Sequence, residues 1–469
     1  MDTETADTGS TLTDRLNRIP VMTRTHWQWL FVLAVLLLVD MADLNTFAYA
    51  APAIRENWNI SVGAIGTITG ASFLGMFVGS VVGGRIADRF GRKRTIIGAT
   101  LFFSFFSLIS AASVSVYDLA VYRVLTGVGL ATMTVVVLTY VSEMFPQAKR
   151  GRSQTLITAI SLIGIPIMAW VARLIVPLGP EMWRWIFILG GIGIPLVIAT
   201  INRLPESVRW LEQREQSEKA EHIVVQIEEQ ARKKIAGGLP PIVPKPTVVS
   251  SSKPTELLSA HYRKRTIVLA IVMALALSSF YGYNSWIPTL LTEHGFDTHQ
   301  SLVYTSLMSL AAVPGALLAL FFIDRINRRT ASFMVSTAVA CLMLIVGFSD
   351  NTTLLVASGT LVTMLLQTGT PIMYTYMPEI FPTNLRALGT GLGNGVGRIA
   401  VFGTSFLIAA ILSTFGFTAV FIYLAAASLL AGLIMRFFGE RTKGRTLEDI
   451  VAIDSAHSSD SGQQTVRRH

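Results

Sequence analysis

An all-α membrane protein is predicted, with twelve spanning helices in two repeated six-helix halves. Three observations predict it: the apolar fraction, the distribution of cations among the loops, and two loop patterns that each occur twice. Of 469 residues, 51% are hydrophobic and only 14% charged, and mean hydropathy is +0.54; soluble domains carry about 25% charged residues. At roughly 20 apolar residues per crossing, candidate spans lie at 27–52, 61–87, 95–115, 117–142, 153–177, 182–203, 266–291, 301–323, 330–349, 352–376, 388–413 and 417–438.

The formal charge of +9 is distributed by topology. Lys and Arg crowd the loops after spans 2, 4, 6, 8 and 10 and both termini, whereas the alternate loops hold almost none, Arg55 and Arg184 excepted. The positive-inside rule therefore puts both termini in the cytoplasm of a multi-pass protein of the inner or plasma membrane. Because the excess charge follows topology, it implies no nucleic-acid partner. The single cysteine, Cys341, permits no intrachain disulfide, and no metal-ligand cluster is present. Ala48-Tyr49-Ala50 imitates a signal-peptide cleavage site, but Asp40 and Asp43 interrupt the run before it, so span 1 is read as retained.

In chain order, residues 1–26 form a polar cytoplasmic tail, read as disordered apart from a short segment near Leu16–Ile19. Residues 27–203 make the first six-helix bundle. Residues 204–265 form a cytoplasmic loop that opens with an amphipathic stretch carrying Ile223, Val224 and Ile227 at helical spacing. Gly237-Gly238-Leu239-Pro240-Pro241, Pro244 and Pro246 then turn it into a linker. Residues 266–438 make the second bundle, and 439–469 a polar cytoplasmic tail.

The halves repeat each other. The loop after span 2, Gly84-Arg85-Ile86-Ala87-Asp88-Arg89-Phe90-Gly91-Arg92-Lys93-Arg94, gathers cations around one acid; Asp324-Arg325-Ile326-Asn327-Arg328-Arg329, after span 8, is a worn copy. Glu143-Met144-Phe145-Pro146 with Arg150 returns as Glu379-Ile380-Phe381-Pro382 with Arg386. The first loop resembles the signature between helices 2 and 3 of the major facilitator superfamily, and the resemblance implies a substrate site between two symmetry-related halves near the midplane. Arg123-Val124-Leu125-Thr126-Gly127-Val128-Gly129 is similar to a second superfamily motif. Leu204-Pro205-Glu206-Ser207-Val208-Arg209 and Glu440-Arg441-Thr442-Lys443-Gly444-Arg445 resemble two signatures of the sugar-porter branch.

The sugar-contacting positions of that branch do not match. Gly282-Tyr283-Asn284 survives in span 7, but the paired glutamines before it read Ser278 and Ser279. The span 5 glutamine reads Thr158, and the span 10 tryptophan reads Tyr374. A hexose needs amide partners for its hydroxyls, so their joint loss argues against a hexose carrier. Asp40-Met41-Ala42-Asp43 is instead similar to the paired-aspartate motif of aromatic-acid and related metabolite:proton symporters, with Met41 where that family has Gly.

Ionisable groups at membrane depth cost roughly 2.5–3.5 kcal/mol each on insertion scales and must be paired or wet. With Trp27 and Trp29 taken as the cytoplasmic edge of span 1, Asp43 lies about 24 Å above it and Arg123 about 9 Å below the outer start of span 4, at matching depths. The resemblance implies that these two form the proton-coupling pair, with Asp40 on the same face as a second proton or substrate group. Burial disfavours a carboxylate and a guanidinium favours it, so protonation is expected to release the pair; the alternative is a static ion pair that fixes packing. Arg398 lies about 16 Å deep, near the midplane, where a guanidinium suits a substrate carboxylate. Tyr281, Tyr283, Asn284, Tyr374 and Thr158 complete the expected substrate-binding set, which fits a flat organic acid.

The expected cytoplasmic gate comprises Gly84, Asp88, Arg89, Gly91, Arg92, Glu143, Arg150, Asp324, Arg325, Glu379 and Arg386. Arg89 and Arg92 are expected to pair with Glu143 and Arg325 with Glu379; the superfamily resemblance also sets Asp88 against a helix N-terminus of the other half. The chain thus reads as a monomeric secondary transporter in the lipid bilayer. It would move a small organic, aromatic acid together with protons, and it needs no cofactor. A sugar or polyol symporter, a drug:proton antiporter and a non-transporting membrane sensor are the alternatives. An enzyme is not expected, because no nucleophile–base constellation appears.

Overall fold

A computed structural model describes residues 11–235, 238–242, 254–323, 326–382 and 384–440. They are helical almost throughout and divide into two compact units: Met1–Val248 with Asp297–Val303, and Val249–Phe296 with Tyr304–His469. The first holds α1 (Leu12–Asn17), α2 (Arg24–Trp58), α3 (Val62–Phe90), α4 (Arg92–Ser110), α5 (Val116–Met144), α6 (Arg150–Ser161), α7 (Gly164–Ile175), α8 (Trp183–Leu189), α9 (Gly193–Arg203), α10 (Val208–Gln213) and α11 (Ser217–Arg232). Next come α12 (Arg263–Asn284), α13 (Ile287–Glu293), α14 (Thr298–Ser309, divided between the units), α15 (Ala312–Ile323), α16 (Arg328–Phe348), α17 (Thr352–Glu379) and α18 (Arg386–Phe438).

Ten helical segments among the described residues are long and apolar enough to cross a membrane. Three of them, Gln147–Leu178, Trp183–Arg203 and Thr298–Ala319, are assembled from shorter helices. The 53-residue α18 carries a non-helical residue, Gly416, in its course. α4 is not among the ten: it opens on Arg92-Lys93-Arg94 and buries Thr95, Thr100, Ser104, Ser107 and Ser110 along one side. That buried polar stripe is what later receives a charge.

In the first unit α3 and α5 touch backbone to backbone. A Cβ added at Gly75 or Gly79 would stand 2.0 or 2.3 Å from the carbonyl oxygen of Val124 or Val128, and Thr132 donates to the Gly79 carbonyl at 3.1 Å. The second unit repeats the device at the same sequence offset. A Cβ at Gly315 would lie 2.2 Å from the Met364 carbonyl oxygen, and Thr368 donates to the Gly315 carbonyl at 2.8 Å.

The turn from α3 to α4 hinges on Gly91, whose φ of 97° lies in the left-handed region that favours glycine. A side chain there would also meet Glu206 Oε2 at 2.3 Å. Glu206 Oε1 accepts from the backbone N–H groups of Arg92, Lys93 and Ser207 at 2.7, 3.0 and 2.9 Å. This sets a carboxylate on the positive end of α4. Gly84 lies in the interior of α3 with nothing near its would-be Cβ, so of the two glycines in the signature only Gly91 makes the turn.

Arg92 is the cation that pairs with Glu143, at 2.9 Å, with both side chains buried. It also meets Asp88 at 2.9 Å, and Ser207 donates to the second Glu143 oxygen at 2.6 Å. Arg89 departs from the expectation: it is exposed on the last turn of α3, with its guanidinium 5.3 Å over the Phe90 ring. In the second unit Arg328 meets Glu379 at 3.4 Å. Arg328 and Glu379 repeat Arg92 and Glu143 at the same offset. Asp324 and Arg325 lie outside the described residues, as do residues 441–469. Arg150 donates to the Phe145 carbonyl at 3.0 Å and to Asn17 at 2.6 Å, and Arg386 is half-buried at the first position of α18.

Two further expectations are corrected. Trp29 is not an interfacial anchor: it is 2% exposed and packs on His26, Tyr140 and Phe145. Nor is the segment before α2 disordered from Thr11 onward. Thr11 and Asp14 close a capping box on α1. Leu16 and Ile19 are buried in one apolar cluster with Leu211, Val224 and Ile227. The N–H groups of Leu12 and Thr13 are capped by Glu212. Arg15 and Arg18 both grip Glu228, at 2.7 and 2.8 Å.

Gly91→Ala is expected to cost about 1–3 kcal/mol from backbone strain alone, whereas Gly84→Ala should leave stability equal or higher by about 0.5–1 kcal/mol; thermal unfolding in detergent compares them. Burial pushes the Glu228 carboxyl up, but the hydrogen bonds from Arg15 and Arg18 outweigh it and hold it below the usual carboxylate range. Its contribution is therefore full above the unfolded-state value and lost as pH falls through the lower folded-state value. Amide protection factors across residues 11–20, taken against the intrinsic rate at each pH, should be high at pH 7 and drop on acidification, and Glu228→Gln should already show low protection at pH 7.

Candidate functional site

Asp43 is fully buried, and so is Arg123 of α5, which faces it. Arg123 Nη1 lies 3.3 Å from Asp43 Oδ2. Its other nitrogens donate to the Asp43 carbonyl at 3.4 Å and to Ser72 Oγ of α3 at 3.3 Å. Ser107 of α4 donates to Asp43 Oδ1, with the Phe187 carbonyl 3.2 Å from the same hydroxyl. The Phe187 ring of α8 stands 5.9 Å from the guanidinium. Gly190 closes the wall: a Cβ there would be 2.3 Å from Asp43 Oδ1 and 2.1 Å from Ser107 Oγ. Segments that are distant in sequence thus converge on one ion pair, and the polar stripe of α4 supplies its hydroxyl. Asp40, one turn earlier and 1% exposed, accepts from Thr134 of α5 at 3.0 Å.

A second cluster lies within the second unit. Arg398 of α18 places its guanidinium 5.5 Å over the Tyr281 ring of α12. Tyr374 of α17, 42% exposed, donates from its hydroxyl to Asn394 Oδ1 at 3.0 Å. Asn394 precedes Arg398 by one helical turn, so the two share a face of α18. Arg398, Tyr281 and Tyr374 are thereby brought together.

The other expected substrate residues are Tyr283, Asn284 and Thr158. Tyr283 is 1% exposed and its hydroxyl donates to the Gly359 carbonyl at 2.9 Å; it is a packing residue. Asn284 turns its amide back to the Phe280 carbonyl of its own helix at 2.8 Å. Thr158 is exposed on α6.

The sugar (and other) transporter family profile matches residues 25–453. The chain belongs to this family of major facilitator transporters. Over 444 residues it is 35% identical to YyaJ of Bacillus subtilis (strain 168), whose name assigns it provisionally to metabolite transport; the match covers 93% of this chain and 97% of that one. It is 29% identical to the niacin transporter NiaP of Acinetobacter baylyi, over 94% of this chain and 99% of that one. To the 4-hydroxybenzoate transporter PcaK of the same organism it is 30% identical, over 81% and 84%. Among solved structures it resembles the xylose transporter XylE from E. coli in a partially occluded inward open conformation, with a TM-score of 0.72 at 18% identity, covering 90% of this chain and 99% of that one.

In this transporter the site residues that sequence reasoning missed are the neutral ones: Ser72, Ser107, Gly190 and Asn394. Only Ser107 carried a signal, through the spacing of Ser104, Ser107 and Ser110. Removing one partner of a buried pair leaves the other charge stranded, at about 3–5 kcal/mol. Asp43→Asn and Arg123→Gln should each destabilise on that scale. The double variant should cost less than their sum by about 1–3 kcal/mol, read from unfolding midpoints of the purified variants.

Proposed function

We propose that this protein is a secondary active transporter that imports a small organic, aromatic acid together with protons by alternating access. The observation that carries the reading is the Asp43–Arg123 pair, fully buried and closed by Ser72, Ser107 and Gly190. A deprotonated Asp43 holds Arg123; a proton on Asp43 removes the charge that holds it and lets α2 and α5 move apart. Such a pair converts proton occupancy into helix arrangement, which is what coupling requires. Asp40 is the second acid, one turn away.

Arg398, Tyr281 and Tyr374 support the substrate class. A guanidinium with an aromatic ring beneath it fits a carboxylate attached to a flat ring. The names of two relatives, a niacin transporter and a 4-hydroxybenzoate transporter, point to the same chemistry. The serines at 278 and 279 lack the amides that a hexose needs. The reading includes twelve crossings: the ten apolar segments, α4, and a second crossing in α18 beyond Gly416. Two bundles, near 27–203 and 266–438, then lie in the bilayer with both termini cytoplasmic, and the working form is a monomer. The loop pairs Arg92–Glu143 and Arg328–Glu379 act as its cytoplasmic gate.

Uptake by purified protein in liposomes, with and without an inward proton gradient, tests this reading. The wild type is expected to concentrate aromatic acids only with the gradient. Asp43→Asn should lose concentrative uptake and keep counterflow exchange; full concentrative uptake by that variant would refute the coupling role. Arg398→Lys keeps the charge but loses the fork, and should raise KM about tenfold.

A further inference from the structure

The polarity of one hydrogen bond in the second unit has a consequence for substrate choice. Asn394 makes two bonds that fix its amide. Its Nδ2 donates to the Thr390 carbonyl at 3.2 Å, which only the nitrogen can do, so Oδ1 faces Tyr374. That oxygen can only accept, so the Tyr374 hydroxyl must donate to it, at 3.0 Å. The phenol proton is thereby committed. What Tyr374 has left to offer is its oxygen lone pairs, on a residue that is 42% exposed, with the Arg398 guanidinium one turn from Asn394.

We infer that Asn394 is a positioning residue that makes Tyr374 a hydrogen-bond acceptor, and so selects aromatic carboxylates bearing a hydrogen-bond donor on the ring. The inference rests on the organic-acid reading above. A ring hydroxyl satisfies this arrangement. A pyridine nitrogen, which only accepts, meets the Tyr374 oxygen lone pair to lone pair, and an unsubstituted ring leaves the acceptor unused. Neither Asn394 nor the direction of this bond follows from the charged residues that mark the rest of the site. The substrate touches Tyr374 and Arg398; Asn394 acts through Tyr374.

The experiment is competition for gradient-driven uptake in liposomes, with benzoate, 3- and 4-hydroxybenzoate and nicotinate as competitors. Half-inhibition ratios are compared within each variant, so expression level drops out. In the wild type the better hydroxybenzoate should compete about tenfold more strongly than benzoate or nicotinate, the worth of one hydrogen bond. Tyr374→Phe should bring all four within about twofold. Asn394→Leu frees the Tyr374 proton to point at the ligand, and the hydroxybenzoate:nicotinate ratio should fall about tenfold; Asn394→Asp keeps the acceptor and should keep the ratio. A purely structural role for Asn394 would change transport rate and leave the ratios fixed. Acid uptake with equal competition in the wild type, or an unchanged ratio in Asn394→Leu, overturns this inference and leaves the organic-acid reading standing. Transport of none of these acids overturns both.

Discussion

Charged groups buried among apolar helices must be neutralised by one another, and the first unit is organised by that constraint at Asp43 and Arg123. Leaving either alone would strand a charge in a medium with few dipoles to answer it. The arrangement answers each polar atom in turn. Arg123 spends its nitrogens on Asp43, on the carbonyl behind it and on Ser72, while Asp43 takes Ser107 as well. Because these groups come from α2, α3, α4 and α5, the helices that carry them have little freedom of register. Gly190 then becomes a requirement of the ion pair, since any side chain there would occupy the space of Asp43 and Ser107. A pair so enclosed is stable when complete and unstable when half removed, which is the property a proton can exploit.

The loops between helices follow the same logic nearer the surface. Arg92 and Glu143 in one unit, and Arg328 and Glu379 in the other, tie the start of one helix to the end of another. Both pairs are internal to their units. In the first, Glu206 places its carboxylate on the N-terminus of α4 and Ser207 on Glu143, so the short motif after span 6 works as a strut beneath the span 2–3 turn. A strut that meets a helix N-terminus gains from the helix dipole, about 0.3–1 kcal/mol, and it explains why the turn itself must be glycine.

Much of this was legible in the sequence, and for physical reasons. Apolar length and cation placement are dictated by the bilayer, so the spans could be read without knowledge of packing. The charge pair was legible because ionisable residues at depth are few and their depths can be counted. Packing was not legible where one residue type serves two environments. Trp29 belongs to a class that anchors at interfaces, yet it is buried by His26, Tyr140 and Phe145. Arg89 and Arg92 are alike in sequence, but the turn at Gly91 separates the one that meets Glu143, on α4, from the one that does not, on α3. Arg325, the expected partner of Glu379, lies outside the described residues; the offset that relates the glycine–threonine contacts relates Arg92 to Arg328, which meets Glu379. Serine, glycine and asparagine at the sites gave almost no signal, because membrane helices use them freely for packing.

The two units share a scaffold but not a chemistry, and the difference can be located. At the offset that relates Glu143 to Glu379, the counterpart of Arg123 is Gly359. The space a long cation would take is filled by Met308 of α14 and by Tyr283 of α12, whose hydroxyl donates to the Gly359 carbonyl; a Cβ at Gly359 would stand 2.7 Å from Met308 Cε and 3.0 Å from the Tyr283 oxygen. A phenol bonded to a backbone carbonyl carries no charge to pair, so this unit has no counterpart of the Asp43–Arg123 pair at that place. Its cation lies instead on α18 as Arg398, stacked on Tyr281 and only partly buried. The Arg123 guanidinium is fully enclosed, whereas Arg398 keeps partial exposure. The repeat is therefore unequal: the first unit encloses an Arg–Asp pair where the second has a glycine and a phenol, and the second carries a half-buried arginine on another helix.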